Sequence, residues 1–244
     1  MSFKGKISIV TGGTGALGRF IVNKFAGAGM KVYVPVRSIN EFNKIFDDSQ
    51  SNEAGDFKGL LRRYALPCDA SNEAEVKEFC DNVIKQDKRI DFLVNTVGGY
   101  HPKRMILDTD TELIEKQLKL NFFTTFFFTK FAVHYMKINN YGRVVSIGAK
   151  PAIETTAGKF AYSFSKAGVV NLMQTLALEL KDSDITFNTI IPSIIDTPAN
   201  RESMQNQDFS KWVKPEEIAD KCLYLFGDGA GSNKGNVIKM YGGI

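Results

Sequence analysis

The chain has 244 residues, 43% hydrophobic and 24% charged, which suits a soluble α/β globule with a substantial core. Its formal net charge is +4, and Lys and Arg are scattered with no cluster longer than the pair Arg62–Arg63; this excludes a nucleic-acid footprint while leaving a mild positive field suited to an anionic cofactor. Cys68, Cys80 and Cys222 form no CxxC pattern, and His101 and His134 are too far apart for a helix-borne pair, so reduced thiols are expected and no disulfide framework or metal site.

The opening MSFKGKISIVTGG has only a four-residue apolar run before its glycines, too short for a signal peptide, so a cytoplasmic location is expected. That run predicts a strand over 6–11, and the glycines of TGGTGALG (11–18) lead into an amphipathic helix over 16–28. Glycines between a strand and a helix let the backbone turn tightly and approach a pyrophosphate, whose charge then rests on the N–H groups of the helix N-terminus. The context points to dinucleotide binding. A second strand is predicted over 31–36 (KVYVPV). An NAD site wants a carboxylate at its end, roughly 20 residues past the glycines. Val36 stands there instead, followed by Arg37 and Ser38. A planar guanidinium attracts a ribose 2′-phosphate, so NADP(H) is the preferred cofactor, with NAD(H) possible if Arg37 is merely solvated.

A helix over 39–47 comes next, then the polar stretch 47–59, read as a surface excursion, and a strand over 63–67. Asn72, three residues before Glu75, resembles a capping box for a helix over 72–86. Beyond it lie a strand over 90–95, a long helix over 110–137 capped by Asp108 or Thr109, and a strand over 142–147. The remaining expectations are a helix over 161–180, a strand over 185–191, a helix over 215–225 and a strand over 236–241. These runs are rich in Val, Ile, Phe and Tyr and mostly lack alternation, as strands do when both faces are covered. The fold class is therefore α/β: a Rossmann-type, doubly wound parallel sheet of about seven strands with helices on both faces. No repeat or linker marks a second domain, so one domain over 1–244 is expected.

Within the long helix, Phe122, Phe123, Phe126, Phe127, Phe128 and Phe131 point in nearly every direction, although Lys130 and the threonines keep the run too short to span a bilayer. Such a helix is either buried wholly in its own subunit or packs on the sheet with one side and meets a partner subunit with another; the second arrangement is preferred. In the next helix FAYSFSK (160–166) sets Tyr162 and Lys166 four positions apart on one face. The spacing alone is as compatible with a surface pair as with a lysine that changes the tyrosine's chemistry.

With TGGTGALG and YSFSK on one chain, the sequence resembles the short-chain dehydrogenase/reductase superfamily over essentially its whole length. The resemblance implies phosphate contacts from Gly12, Thr14, Gly15, Ala16, Leu17 and Gly18, and adenine contacts from Asp69, with Ala70, in PCDAS. It places Asn95, Val97 and Gly98 of NTVG beside the cofactor, and gives Pro192, Ile195 and Thr197 of PSIIDT (192–197) the nicotinamide carboxamide. Asn121 of KLNFF would organise a proton-relay water. Tyr162 would exchange a proton with the reacting oxygen. Lys166 would bind the nicotinamide ribose and, with the positive nicotinamide, lower the phenol from its usual pKa of about 10.

One departure bears on the substrate. The family places a serine thirteen residues before the tyrosine, and here that position is Ala149, whose methyl donates no hydrogen bond. Ser146 lies in the strand and is expected to be structural. The quinonoid dihydropteridine reductase branch also lacks this serine and reads Gly-Ala-Lys, as Gly148, Ala149 and Lys150 do here. Its substrate loop resembles 196–212, and its Gly-Gly-Trp turn resembles VGGY (97–100), with Tyr100 at the aromatic position. An electron-poor conjugated imine depends less on a serine hydroxyl. That branch carries an acid after the second strand, however, where this chain has Arg37. The implied substrate is a small conjugated imine or carbonyl contacted by Ala149, Lys150 and Tyr100. The segment 196–212 has the character of a lid, with Phe209 or Trp212 either covering a flat ring or packing on the domain. A cofactor-binding sensor or assembly protein that lost its chemistry with the serine is the alternative of another class. Helices at about 110–137 and 161–180 are the family's usual assembly surfaces, which implies a homodimer or homotetramer.

Overall fold

Every strand that apolar patterning picks out forms, and all seven pair in parallel. In the computed structural model, which describes residues 3–46 and 63–244, these are β1 (Ile7–Thr11), β2 (Lys31–Val36), β3 (Arg63–Pro67), β4 (Phe92–Asn95), β5 (Tyr141–Ile147), β6 (Asp184–Pro192) and β7 (Val237–Met240). The stretch 47–59 read as a surface excursion lies outside the described residues. The sheet order is β3-β2-β1-β4-β5-β6-β7. β1 pairs with β2 from Ile7 opposite Lys31 and with β4 from Ser8 opposite Phe92. The winding reverses between β1 and β4, and the crevice at the carboxyl ends of those strands is where such sheets take ligands.

Helices cover both faces: α1 (Gly18–Gly27), α2 (Ile39–Ile45), α3 (Glu73–Asp87), α4 (Thr111–Gln117), α5 (Thr124–Ile138), α6 (Phe160–Glu179), α7 (Pro198–Ser203) and α8 (Pro215–Phe226). The central strands β1 and β4 are buried at every residue, which is why their sequences do not alternate. On one face Phe25 of α1 and Phe226 of α8 close over Phe92, whose ring stacks on Phe226 at 4.5 Å. On the other, Phe79 of α3, Phe128 of α5 and Met173 of α6 form a second core. Each such side chain contributes about 1.5–3 kcal/mol by leaving water.

The helix expected over 110–137 is three pieces. α4 passes into a π-helical stretch, Leu118–Phe123, before α5 begins. Its N-cap is Asp110, whose carboxylate accepts from the Leu113 amide at 2.7 Å; Asp108 ends a 3₁₀ turn instead, and Thr109 donates to the Met105 carbonyl. Asn72 does cap α3, accepting from the Ala74 and Glu75 amides. The reciprocal half of the expected box is missing, because the Glu75 carboxylate reaches the Asp69 amide at 2.7 Å. α7 was not expected. Thr197 caps it and Pro198 opens it, which suits proline's fixed φ.

In the long helix Phe128 is buried in the core, Phe127 and Phe131 pack against it, and Phe123 is 39% exposed. In α6, Phe160 and Phe164 stack on each other in solvent. Among the described residues no helix is long and apolar enough to cross a membrane.

Candidate active site

The turn from β1 to α1 depends on glycines at which a side chain does not fit. Gly12 has φ +64°, and a Cβ there would lie 2.8 Å from Thr96 Oγ1. A Cβ at Gly18 would overlap the Gly12 carbonyl, to which the Gly15 amide donates at 2.9 Å. No side chain caps α1; the Arg19 amide donates to the Gly15 carbonyl and those of Phe20 and Ile21 to the Leu17 carbonyl, while Leu17 and Gly18, at the positive end of the helix dipole, face the crevice.

That crevice is a cleft of about 610 Å³ whose wall joins Gly12, Gly15, Ala16, Leu17 and Gly18 to Tyr100, Ala149, Tyr162 and Lys166. Pro192 at the end of β6 and Ile195 beyond it complete the wall, together with Asn200 and Ser203 of α7 and Met204 just after it. Thr14 lies within the glycine turn but does not line the cleft.

Tyr162 and Lys166 share one face of α6, as their spacing predicts. The Lys166 ammonium is buried and donates to the Ile147 carbonyl at the end of β5 at 2.9 Å. Burial pulls its pKa down to about 8 and pushes that of Tyr162 up to about 12, with the Tyr100 phenol adding to the rise. Sequence reasoning anticipated a tyrosine made more acidic by its neighbour. With the protein's own groups alone, desolvation sets the direction of both shifts, because each charged form loses water in this wall. The Tyr100 ring stands edge-on to Tyr162, centroids 5.4 Å apart.

Asn121 sits in the π-helical stretch, fully buried. Its Oδ1 accepts from the Gly99 amide at 2.9 Å, and its Nδ2 donates to the Gly99 carbonyl and to Gln117 Oε1. Both ends of the side-chain amide are therefore committed to protein partners, which clasp the strand-end loop to the helix. Gly98 is enclosed by the same groups: a Cβ there would lie 2.7 Å from Asn121 Oδ1 and 2.8 Å from Lys166 Nζ. Only glycine fits.

The other expected residues are spread around this centre. Arg37 is exposed at the end of β2, and Ser38 accepts from the Glu41 amide as the cap of α2. Asp69 is held below its ordinary pKa, first by the Ser71 amide, with Arg37 and Lys119 contributing charge, so Arg37 and Asp69 share one neighbourhood. Ala70 packs on the second core. Asn95 is interior, donating to Thr129 and Ser146 at 3.1 Å each, which also fixes Ser146 as structural. The Val97 amide packs against Gly12. Thr197 caps α7 with its hydroxyl, and the Ile195 carbonyl accepts from Asn200 Nδ2 at 2.7 Å.

Of the three residues expected to meet the substrate, two line the cleft and one does not. Ala149 and Tyr100 line the cleft. Lys150 turns away, 3.8 Å from Glu154 and over the Tyr241 ring. Phe209 and Trp212 pack on each other at 4.7 Å, with Trp212 buried, and neither forms part of the cleft wall. Sequence reasoning missed Lys159, Thr96, Asn200 and Met204, all of which line the cleft. Lys159 was discoverable, since it precedes Tyr162 by three positions and falls on its side of α6.

The family model described as short chain dehydrogenase matches residues 6–208. The 3-oxoacyl-(acyl-carrier-protein) reductase FabG of Thermotoga maritima is 27% identical, over 100% of this chain and 99% of its own. A short-chain type dehydrogenase/reductase from Mycobacterium ulcerans superposes with a TM-score of 0.90 at 26% identity, covering 100% of this chain and 90% of that one. ElxO with NADP bound has a TM-score of 0.86 at 21% identity, covering 98% of each chain, a likeness of fold.

Proposed function

The chain belongs to the short-chain dehydrogenase family, and from that premise we propose an NADP(H)-dependent oxidoreductase that reduces a small conjugated imine or carbonyl, with Tyr162 as the proton donor. The observation that carries this reading is one cleft wall holding the glycine turn, Tyr162 and Lys166 together. Its residues fit a dinucleotide: Gly12 and Gly18 leave backbone where any Cβ would intrude, and α1 turns the positive end of its dipole, with no side-chain cap, toward the place of a pyrophosphate. Arg37 would take the 2′-phosphate bidentately, and Asp69, ionised beside it, the adenine amino group.

Bound in the cleft, the nicotinamide would supply the hydride and, once oxidised, a positive ring. Lys166 would hold its ribose hydroxyls with the ammonium donors not used by the Ile147 carbonyl. The Tyr162 Oη–H would donate to the reacting nitrogen or oxygen and pass its proton on as charge develops there. With a pKa near 12 the phenol is protonated and ready for reduction at neutral pH. Asn121 would act through Gly99 and Gly98 by holding the loop that faces Lys166. The Ile195 and Thr197 segment would orient the carboxamide, and α7, within the 196–212 loop, would close over the substrate.

The buried methyl of Ala149 favours a second, narrower reading, a quinonoid dihydropterin as substrate, since its activated imine needs no hydroxyl from that position. The exposed Phe160 and Phe164 pair and Phe123 support a homodimer or homotetramer through α5 and α6.

The test is NADPH oxidation with a quinonoid dihydropterin, a diketone, a quinone and a simple ketone. Tyr162→Phe should lower turnover of any accepted compound by about 10²–10⁴-fold while NADPH binding persists. Unchanged turnover in that variant would remove Tyr162 from the mechanism.

A further inference from the structure

We propose that Lys159 selects substrates carrying an anionic group, so that the preferred substrate is a flat conjugated ring with a carboxylate or phosphate substituent. This rests on the reading of the cleft given above and adds the chemistry of the substrate's distal end.

Among the described residues, the cleft wall contains two ammonium groups and no carboxylate or guanidinium. Lys166 is committed to the Ile147 carbonyl in the interior. Lys159 differs in every respect. It is partly exposed at the start of α6, its side chain caps nothing, and no carboxylate pairs with it among the described residues. Its neighbour is the Tyr100 ring, with Nζ 5.0 Å from the centroid. Of the neighbouring cations outside the cleft wall, Arg104 faces Asp110 at 3.9 Å, Lys150 faces Glu154 at 3.8 Å, and Lys103 lays its stem against Gly158. Lys159 is thus the cleft-lining cation left for a ligand.

Its position says which part of a ligand it meets. Tyr100 stands between Lys159 and Tyr162, touching one through its ring face and the other edge-on at 5.4 Å. A planar substrate whose reacting atom lies at the Tyr162 hydroxyl extends along Tyr100 and presents its far edge to Lys159. The Tyr100 ring, 53% exposed, offers an apolar face for such a substrate. The pyrophosphate is met by the glycine turn of β1 and α1, a different part of the wall. A negative charge on the cofactor therefore gives no account of Lys159.

The experiment compares 9,10-phenanthrenequinone-2-carboxylate with its carboxamide, nearly equal in shape and different in charge. Binding is measured by calorimetry on the NADPH complex of Tyr162→Phe, and turnover on the wild-type chain. The carboxylate should bind about tenfold more tightly, the value of one charge-assisted hydrogen bond. Lys159→Gln should bring the ratio to about one, Lys159→Arg should keep it, and Lys159→Glu should reverse it. The ratio is the readout because a folding defect lowers both affinities together. Equal binding of the two compounds, no measurable binding of the carboxylate, or a preference that survives in Lys159→Gln would each overturn the proposal. A preference in binding without turnover of either compound would support Lys159's role and count against the reductase reading alone.

Discussion

Gly98→Ala is the sharpest test of how the site is held. The added methyl would stand 2.7 Å from Asn121 Oδ1 and 2.8 Å from Lys166 Nζ, both closer than real contacts allow. Gly98 is not in the left-handed region, so the backbone itself would accept alanine and the cost arises from the two neighbours. Lys166 can retreat only by stretching its 2.9 Å bond to Ile147. Asn121 is fully buried and can yield only by releasing the Gly99 amide. Losing that acceptor and overpacking the site should together cost about 2–4 kcal/mol. Activity should fall by about 10²-fold, the scale for a small misplacement of reacting groups. Gly99→Ala is the control. Its Cβ would press on Leu120 Cδ2 at 2.8 Å, with nothing else closer than 3.9 Å, and the end of a leucine side chain can turn aside. Urea unfolding and NADPH turnover of both variants read the two effects. A Gly98→Ala chain as stable and active as wild type, or a Gly99→Ala chain more damaged than it, would refute the assigned packing.

Removing the Arg37 guanidinium by Arg37→Ala should raise the KM for NADPH by about tenfold to a hundredfold and leave that for NADH nearly unchanged, because only one cofactor carries the 2′-phosphate. Steady-state kinetics with both cofactors decides it. Ala149→Ser places a hydroxyl donor in the cleft wall and should raise kcat/KM for simple ketones by up to about 10²-fold, with little gain on an activated imine. A pH dependence of stability arises from Lys166. Its folded pKa, about 8, lies below the unfolded value of 10.5, so between these pH values the unfolded chain binds more protons and stability rises with pH. The penalty for the buried charge is fully present below pH 8. Unfolding free energies of wild type and Lys166→Met should therefore converge from pH 8 to 10, by up to about 3 kcal/mol. A difference that stays flat would mean that the ammonium is well solvated.

The sheet was legible because both of its faces are covered. Runs such as KISIVT and IDFLVN can only be satisfied by burial on two sides, and the glycines between β1 and α1 can only be a tight turn. The pairing of Tyr162 with Lys166 came from helical spacing. The features that escaped depend on three-dimensional neighbours. The direction of the Tyr162 shift depends on desolvation by burial, with the Tyr100 phenol adding its charge interaction, which spacing does not encode. Lys150 could have pointed either way; Glu154 and Tyr241, distant in sequence from each other, decide it. Asn121 is similar, since its clasp on Gly99 joins residues 22 apart. α7 hid within a segment whose polarity suggests a loop, although Thr197 before Pro198 is a helix-start signal that could have revealed it.

The π-helical stretch Leu118–Phe123 makes this helix intolerant of changes in length. Each residue of an α-helix advances the azimuth by about 100°, so a wider turn sets the angular phase between α4 on its N-terminal side and α5 on its C-terminal side. In α4, Leu113 and Gln117 point inward; in α5, Phe128 fills the core. Deleting a single codon within the stretch would let the backbone relax to regular α-helix with α4 and α5 still in phase, but the wider turn that carries Asn121 would be lost. Asn121 would swing off Gly99 while Phe128 kept its place in the core. Gene variants in which this segment loses one residue should be rare among functional chains, while substitutions that preserve its length pass more freely.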